Sequence, residues 1–357
     1  NPPMSLLWMD HTPEFQSLVD TACAVEEERN PSYFASLSSK TRDIIRRDTC
    51  YNIDFLYTAF ALDDDKVMQN YASWLYGLMF GIFKTKAPAE VGRYVEGHLA
   101  CIEEAAERDA NLDHRDRLVK LLKEARAVVR EAAAAPLDET DFATSRYEDQ
   151  IELYLKSLFA HDTRGAMRLI RAFVAQGISI ESVYIDILAE CMRRVGVLWH
   201  AGCITVDTEH YCTSVTQTAM SQMYDRIFDA ERCGKTILVA CPGAELHEMG
   251  ARMLADIFEN GGWDSVYLGA AVPEDYLLAS IRENRPDVVA LSVTMPQFLI
   301  DCQRLVETIR AEFPRIVIGV GGGAFDSTHE IWHRWPVDFH AKDARDALKR
   351  ANELIRR

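Results

Sequence analysis

Glu245, His247 and Gly250 share one loop, Cys241-Pro242-Gly243-Ala244-Glu245-Leu246-His247-Glu248-Met249-Gly250. A carboxylate two residues before a histidine can accept one ring N–H and leave the other ring nitrogen free for a metal. Gly250 lets the backbone approach whatever the histidine holds. The loop carries neither G-x-G-x-x-G nor a P-loop, so it does not read as a dinucleotide or nucleoside triphosphate site. Two later stretches, Ser292-Val293-Thr294 and Gly321-Gly322-Gly323, are small and polar or bare. Their missing side chains leave a slot deep enough for an elongated group. A second constellation lies upstream. Trp199-His200 ends one predicted helix, Gly202 caps it, and Thr205 or Asp207 starts the next, so that Glu209-His210 falls in its first turn. A helix hairpin of this kind brings Trp199, His200, Glu209 and His210 to one end. Residues 51–83 hold nine aromatics in 33 residues (Tyr51, Phe55, Tyr57, Phe60, Tyr71, Trp74, Tyr76, Phe80, Phe83), an unusual amount of flat apolar surface.

The elements that must position these groups fall into three blocks. Residues 1–135 show helical spacing and no convincing strand, with Asp63-Asp64-Asp65 breaking a helix pair and one long polar helix expected from about Glu90 to Ala134. Ala135-Pro136-Leu137-Asp138-Glu139-Thr140 reads as a linker. Residues 145–230 read as four helices, with boundaries at Asp162/Gly165, Gly177 and Gly202, of lengths that suit a small antiparallel bundle. In residues 234–357 short β-branched runs alternate with amphipathic helices. Strands are expected at Thr236–Cys241, Ser265–Leu268, Val288–Val293, Ile316–Val320 and Val337–Phe339, with helices near 250–261, 274–284, 298–312 and 343–356. Strict alternation argues a five-stranded, parallel, doubly wound sheet of flavodoxin-like order, whose ligands bind beyond the carboxyl ends of the strands. The three loops above each follow their own strand.

Glu245-x-His247-x-x-Gly250, then Ser292-Val293-Thr294, then Gly321-Gly322-Gly323 resembles the Rossmann-like cobalamin-binding fold of methionine synthase and its relatives. Phe258-Glu259-Asn260-Gly261-Gly262-Trp263 and Leu268-Gly269-Ala270-Ala271-Val272-Pro273 extend the likeness, which covers about 145–357. Glu245 stands where methionine synthase has aspartate. The resemblance implies that His247 is the lower cobalt ligand and that the displaced nucleotide tail of the corrinoid fills the slot. Trp199-x9-Glu209-His210 in turn resembles the signature of adenosylcobalamin light sensors, the CarH-type repressors, in which the tryptophan covers the adenosyl group. It implies that Glu209 and His210 line that pocket, that Val206 is a further lid residue, and that His200 takes the upper cobalt position after light breaks the cobalt–carbon bond. That step needs a neutral imidazole, so the state should weaken at acid pH.

The N-terminal block resembles globin-like sensor helices, and the whole arrangement resembles the photocobilins, which pair cobalamin with biliverdin. Aromatic-lined helices can clamp a flat tetrapyrrole. Arg42, Arg46, Arg47 or Arg93 would pair its propionates, Tyr51, Trp74, Tyr94 and His98 are candidate contacts, and Cys50 or Cys101 are thioether candidates. Haem is the rival ligand, with His98 as its axial candidate.

Composition bounds these expectations. With 39 basic and 55 acidic residues the net charge is −16, so bulk electrostatics do not favour nucleic acid, and no helix-turn-helix signature is visible. The longest near-apolar run, Gly77 to Phe83, is far short of the ~20 residues of a membrane span. Nine scattered cysteines without C-x-x-C fit a reduced cytoplasmic protein. The sequence-level expectation is therefore a cytoplasmic photoreceptor without catalytic turnover. Its partners would be small-molecule chromophores and further copies of itself in light-dependent assembly. It would have no direct DNA contact and no membrane. The alternative is a corrinoid methyl carrier of a methyltransferase system.

Overall fold

The computed structural model describes residues 12–135 and 138–355. Pro136 and Leu137 of the expected linker lie outside the described residues. Packing divides the chain into two units, Asn1–Leu137 with Ser327–His329, and Asp138–Asp326 with Glu330–Arg357.

The N-terminal unit is helical: α1 (Pro13–Arg29), α2 (Pro31–Ser36), α3 (Ser39–Leu62), α4 (Asp65–Ile82), α5 (Pro88–Arg108) and α6 (Arg115–Ala134). Local chemistry sets the starts. The Thr12 side chain accepts from Phe15 N at 3.1 Å, and Ser38 Oγ accepts from Thr41 N at 3.2 Å. Asp63 leaves α3 in the left-handed region at φ 49°, and Asp64 caps α4, so the acidic triplet is a turn. The single polar helix expected over 90–134 is instead two helices. The chain reverses at 109–114, where Asp109 Oδ1 accepts from Asn111 N at 3.0 Å and His114 takes φ 55°. A Cβ added to Gly92 would lie 2.5 Å from Ala133 Cβ, so the start of α5 meets the end of α6 and the pair is antiparallel. The pair is driven together by apolar stripes (Val91, Val95, Leu99, Ile102 against Leu118, Leu122, Ala125, Val129) beneath the polar surface that made it look continuous.

The second unit opens with α7 (Glu148–Phe159) and α8 (Thr163–Ala175). A long helix follows, made of α9 (Ile180–Ser182), a π-helical stretch Val183–Ala189 and α10 (Glu190–His200). The helical part closes with α11 (Val206–Ser221) and α12 (Tyr224–Ile227). Their buried core includes Tyr154, Ile170, Phe173, Ile187 and Val215 and continues into Met253 and Ile257 of the sheet layer. Buried Arg194 ties the bundle's start to its middle, binding Glu148 through two nitrogens (2.6 and 2.9 Å), Glu190 at 2.8 Å and the Ala143 carbonyl at 3.3 Å.

The sheet comprises β1 (Thr236–Ala240), β2 (Asp264–Gly269), β3 (Val288–Ser292), β4 (Val317–Gly321) and β5 (Phe339–Ala341), interleaved with α13 (Met249–Asn260), α14 (Glu274–Asn284) and α15 (Leu299–Glu312) and closed by α16 (Ala344–Ile355). All pairs are parallel in the order β2-β1-β3-β4-β5, the flavodoxin-like order expected from the alternation. The fifth strand begins two residues later than expected. Asp338 is spent on the strand edge, its carboxylate accepting from Ile318 N at 2.7 Å and from Arg310 at 2.7 Å, and pairing with β4 starts at Phe339. Among the described residues no helix is long and apolar enough to cross a membrane.

Candidate functional site

The chain order reverses between β1 and β3, so the loops that follow these two strands diverge and leave a crevice at their carboxyl ends. Glu245 bridges the two loops. It is fully buried, and its carboxylate is saturated by four N–H groups. Oε1 accepts from His247 N (3.1 Å) and faces His247 Nδ1 (2.8 Å); Oε2 accepts from Thr294 N (2.9 Å) and Met295 N (2.8 Å). Burial pushes this carboxyl up, but the hydrogen bonds from the His247 ring and the backbones of Met295, His247 and Thr294 outweigh it and hold it below the ordinary carboxylate range. The His247 side chain is 60% exposed, with Nδ1 occupied and Nε2 left to face outward. Its hydrogen bond to Glu245 raises the imidazole above its usual range. Burial opposes this, and the charges of Glu245 and then Glu209 add to it. The charge of Glu209, on α11, reaches the His247 ring.

Beside the sheet runs a cavity of about 240 Å³. Its floor is the small-residue face of the strands, Ala290 and Ser292 in β3, Gly319 and Gly321 in β4 and Ala341 in β5; Gly250 and Met253 of α13, Ala344 and Ala347 of α16, and Ile185 and Ala189 of the π-helical stretch close it. Gly319 is bare because Phe339 crosses it: an added Cβ would sit 2.3 Å from the ring. Gly322 has φ 104° and presses on the Val293 carbonyl, which an added Cβ would approach to 2.3 Å.

Not every residue expected at this site lines that cavity. Gly250, Ser292, Gly321 and Gly322 do. Val293 is buried and supports the β4 loop, its N bonding Gly321 O at 2.9 Å and its O accepting from Ala324 N at 3.1 Å. Thr294 acts on Glu245 through its backbone, and Gly323 opens a short 3₁₀ turn away from the cavity. Met295 and the helical residues Ile185, Ala189, Ala344 and Ala347 were not anticipated. The i, i+2 recurrence of small residues on β3 (Ala290, Ser292) and β4 (Gly319, Gly321), and the i, i+3 alanines of α16, were the available signal. Leu246, exposed beside His247, was likewise passed over.

On the bundle side, α10 ends at His200 with Gly202 in the left-handed region at φ 70°, and α11 begins at Val206. Trp199 is half-buried and Val206 exposed. The His200 ring is largely covered, with Nδ1 3.7 Å from Glu139 Oε2. His210 is exposed and pairs through Nδ1 with Glu209 at 2.7 Å. Glu209 also accepts from Thr213 Oγ1 at 3.3 Å.

In the N-terminal unit the candidate contacts divide. Arg42 is turned to the Phe34 carbonyl and Glu27, and Arg46 to Asp20 at 2.7 Å. Arg47 and Arg93 are exposed. Tyr94 is exposed, with its ring edge-on to His98 at 4.6 Å, and His98 Nδ1 is bonded to the buried Glu26. Trp74 lies 6.1 Å from the Tyr71 ring, and Tyr51 is half-buried. Cys101 does not suit a thioether, being buried with its thiol pushed up to about 11 by that burial. None of the nine cysteines forms a disulfide. Glu26 was missed. Glu26 hides in an acidic run, yet it continues the buried stripe Phe15, Val19, Ala22 at helical spacing.

Residues 235–349 match the B12 binding domain family, and residues 150–224 match a second B12 binding domain family. The chain is 29% identical over 209 residues to the HTH-type transcriptional repressor CarA of Myxococcus xanthus, which covers 57% of this chain and 70% of that protein. It is 29% identical over 154 residues to the HTH-type transcriptional repressor CarH of the same organism, covering 43% of this chain and spanning half of that relative's length. The fold matches the monomethylamine corrinoid protein of Methanosarcina barkeri, with a TM-score of 0.53 at 16% identity, covering 58% of this chain and 99% of that one. The second unit is thus a Rossmann-like cobalamin-binding domain with its helical cap. Its donor set fits the group: an imidazole with one nitrogen fixed by a buried carboxylate and the other outward, beside a slot of small residues.

Proposed function

We propose that this chain is a light-responsive regulatory protein that uses adenosylcobalamin, with biliverdin as a second chromophore in its N-terminal helices. The observation that carries the reading is the buried Glu245 fixing His247 Nδ1 on the loop after β1, next to a slot of small residues at the strand ends. When bound, adenosylcobalamin supplies a cobalt–carbon bond that light breaks.

The residues divide the work. His247 would hold the cobalt through Nε2, and the slot floored by Ser292, Gly319 and Gly321 would take the nucleotide tail. Trp199 and Val206 would cover the adenosyl group, and Glu209 and His210, paired with each other, would border it. His200 is the imidazole assigned to the upper face after illumination. Its movement would release the packing of the α10–α11 turn and bias assembly of copies of the chain. Output through assembly accords with the likeness to two transcriptional repressors. It needs no catalytic group, and a reduced cytoplasmic setting suits nine cysteines without a disulfide.

The fold shared with a monomethylamine corrinoid protein favours a second reading, a methyl carrier, in which His247 serves in the same way and His200 has no cobalt role. The test is to load the full chain with adenosylcobalamin in darkness, illuminate it, and record spectrum and sedimentation for wild type and His200→Ala. The proposal expects an illuminated spectrum and assembly state in wild type that His200→Ala does not reach. Identical illuminated spectra overturn the His200 assignment. Methyl transfer from a methylcobalamin-loaded chain to a partner enzyme, with no response to light, favours the carrier.

A further inference from the structure

Residues 138–147 lead from the linker into α7, and their contacts run along α10 as a strap. Its second half is pinned. The Phe142 ring lies under the guanidinium groups of Arg193 and Arg194, 5.6 and 5.0 Å from its centre. The Ala143 carbonyl accepts from Arg194 at 3.3 Å, and Ser145 N donates to Glu148 at 2.8 Å. Its first half closes on itself, Asp138 Oδ1 accepting from Thr140 N at 3.0 Å and from Thr140 Oγ1 at 2.6 Å. That turn sets Glu139 at the end of α10, where Oε2 faces His200 Nδ1 at 3.7 Å. Closing the gap to a hydrogen bond of about 2.8 Å takes a shift of roughly 1 Å. Three residues separate Glu139 from Phe142, and three extended residues reach roughly 10 Å, so the start of the strap can move while its second half stays pinned.

A neutral imidazole carries one ring proton. A carboxylate facing one nitrogen selects that nitrogen for the proton and leaves the lone pair of the other for a metal. A metal on that lone pair makes the remaining N–H a stronger donor, and the carboxylate keeps the ring in its orientation. Glu245 stands in this relation to Nδ1 of His247, and Glu139 faces Nδ1 of His200. The two glutamates differ in one respect. Glu245 is fully buried and fixed by backbone N–H groups of two loops, whereas the Glu139 side chain is 60% exposed on a self-contained turn. A fixed carboxylate suits a ligand that is always in place. A movable one suits a ligand that must travel to its metal.

Resting on the assignment of His200 to the upper face, we propose that Glu139 is the positioning residue of that ligand. Its carboxylate accepts the hydrogen bond of Nδ1–H, which leaves Nε2 for the cobalt, and no proton changes hands. The carboxylate follows the ring, so ligation draws the start of the strap onto the end of α10. Light thereby acts on the segment that leads into the bundle as well as on the lid.

The experiment loads the full chain with adenosylcobalamin in darkness and illuminates it, in wild type, Glu139→Ala, Glu139→Gln and His200→Ala. Far-ultraviolet circular dichroism and loading in the dark check the fold. Cyanide then competes for the upper position, and the concentration that removes half of the illuminated spectrum is read. Glu139→Ala should lower that concentration about 10–100-fold. Glu139→Gln keeps an acceptor oxygen and should recover part of the loss, and His200→Ala sets the floor. Hydrogen exchange read by mass spectrometry should show the amides of 138–141 slowing about tenfold on illumination in wild type and unchanged in Glu139→Ala. Wild-type resistance to cyanide in Glu139→Ala overturns the inference and leaves the His200 assignment standing. Equal exchange of 138–141 in darkness and light in wild type overturns the coupling to the strap. An illuminated wild type that matches His200→Ala overturns the His200 assignment and the inference with it.

Discussion

Glu245→Gln is the sharpest perturbation of the cobalamin crevice. The native carboxylate presents two oxygens to four N–H groups, two of them on each oxygen. A glutamine must set its amide nitrogen where one oxygen was: turned to the β3 loop it meets the Thr294 and Met295 N–H groups, and turned to His247 it meets the backbone N–H and forces the ring to switch tautomer. Losing two charge-assisted hydrogen bonds in a buried site costs roughly 2–4 kcal/mol after repacking. For a unit of this size that corresponds to a fall in melting temperature of about 5–10 °C. The variant also frees the β1 loop from the β3 loop and leaves the His247 ring without its orienting partner, so corrinoid affinity should drop about 10–100-fold. Thermal melts followed by circular dichroism, with adenosylcobalamin titrations at equal protein concentration, measure both effects. Glu245→Asp retains the charge on a shorter stem and should fall between. A glutamine variant that melts within a degree of wild type and binds the corrinoid as tightly would refute the claim that this carboxylate organises the site.

Further outcomes follow from the same contacts. Burial pushes the Asp256 carboxyl up to about 6, against the hydrogen bond from Tyr184 Oη at 2.8 Å. The folded state therefore favours the protonated form, and stability falls as pH rises from about 4 to about 6. Asp256→Asn should match wild type near pH 4 and exceed it by about 1–3 kcal/mol at pH 7.5, read from urea unfolding; a difference independent of pH would be contrary to this. Arg194→Met deprives Glu148 of its guanidinium partner, while Glu190 keeps Arg193, and should cost about 3–5 kcal/mol by the same assay, whereas a change under 1 kcal/mol would make the Arg194 cluster incidental. Gly319→Ala forces a methyl into the Phe339 ring and should cost about 1–3 kcal/mol, most of it recovered in the Gly319→Ala/Phe339→Leu double variant; additive costs would mean that the clash is not the cause.

The sheet was legible because buried parallel strands leave short β-branched runs between helices of the right length, and right-handed crossovers leave few strand orders. The crevice was legible for a related reason: loops after β1 and β3 must diverge, so a histidine in the first and small residues in the second are brought together by topology. The source of the fixation was less so. Glu245 is held by backbone N–H groups of Thr294 and Met295, and backbone donors leave no trace in side-chain identity. The π-helical stretch that brings Ile185 and Ala189 to the cavity was equally hidden, since its residues keep helical propensities throughout. The reversal at 109–114 escaped notice because it uses Asp, Ala, Asn and Leu, with neither glycine nor proline to mark it. In the N-terminal helices the aromatic density was visible, but Asp48 and Glu26 looked like surface charge. Only the packing of α1 against α5 shows Glu26 buried beside His98, whereas Asp48 is exposed.

The central claim is that nitrogen from position 247 holds the underside of the corrin. Electron paramagnetic resonance of the corrinoid reduced to cobalt(II), bound to the full chain grown with natural nitrogen or with nitrogen-15, reads that bond directly. The account predicts a nitrogen splitting that changes with labelling of the protein and vanishes in His247→Ala. A splitting indifferent to both, arising from the cofactor's own base, would contradict it.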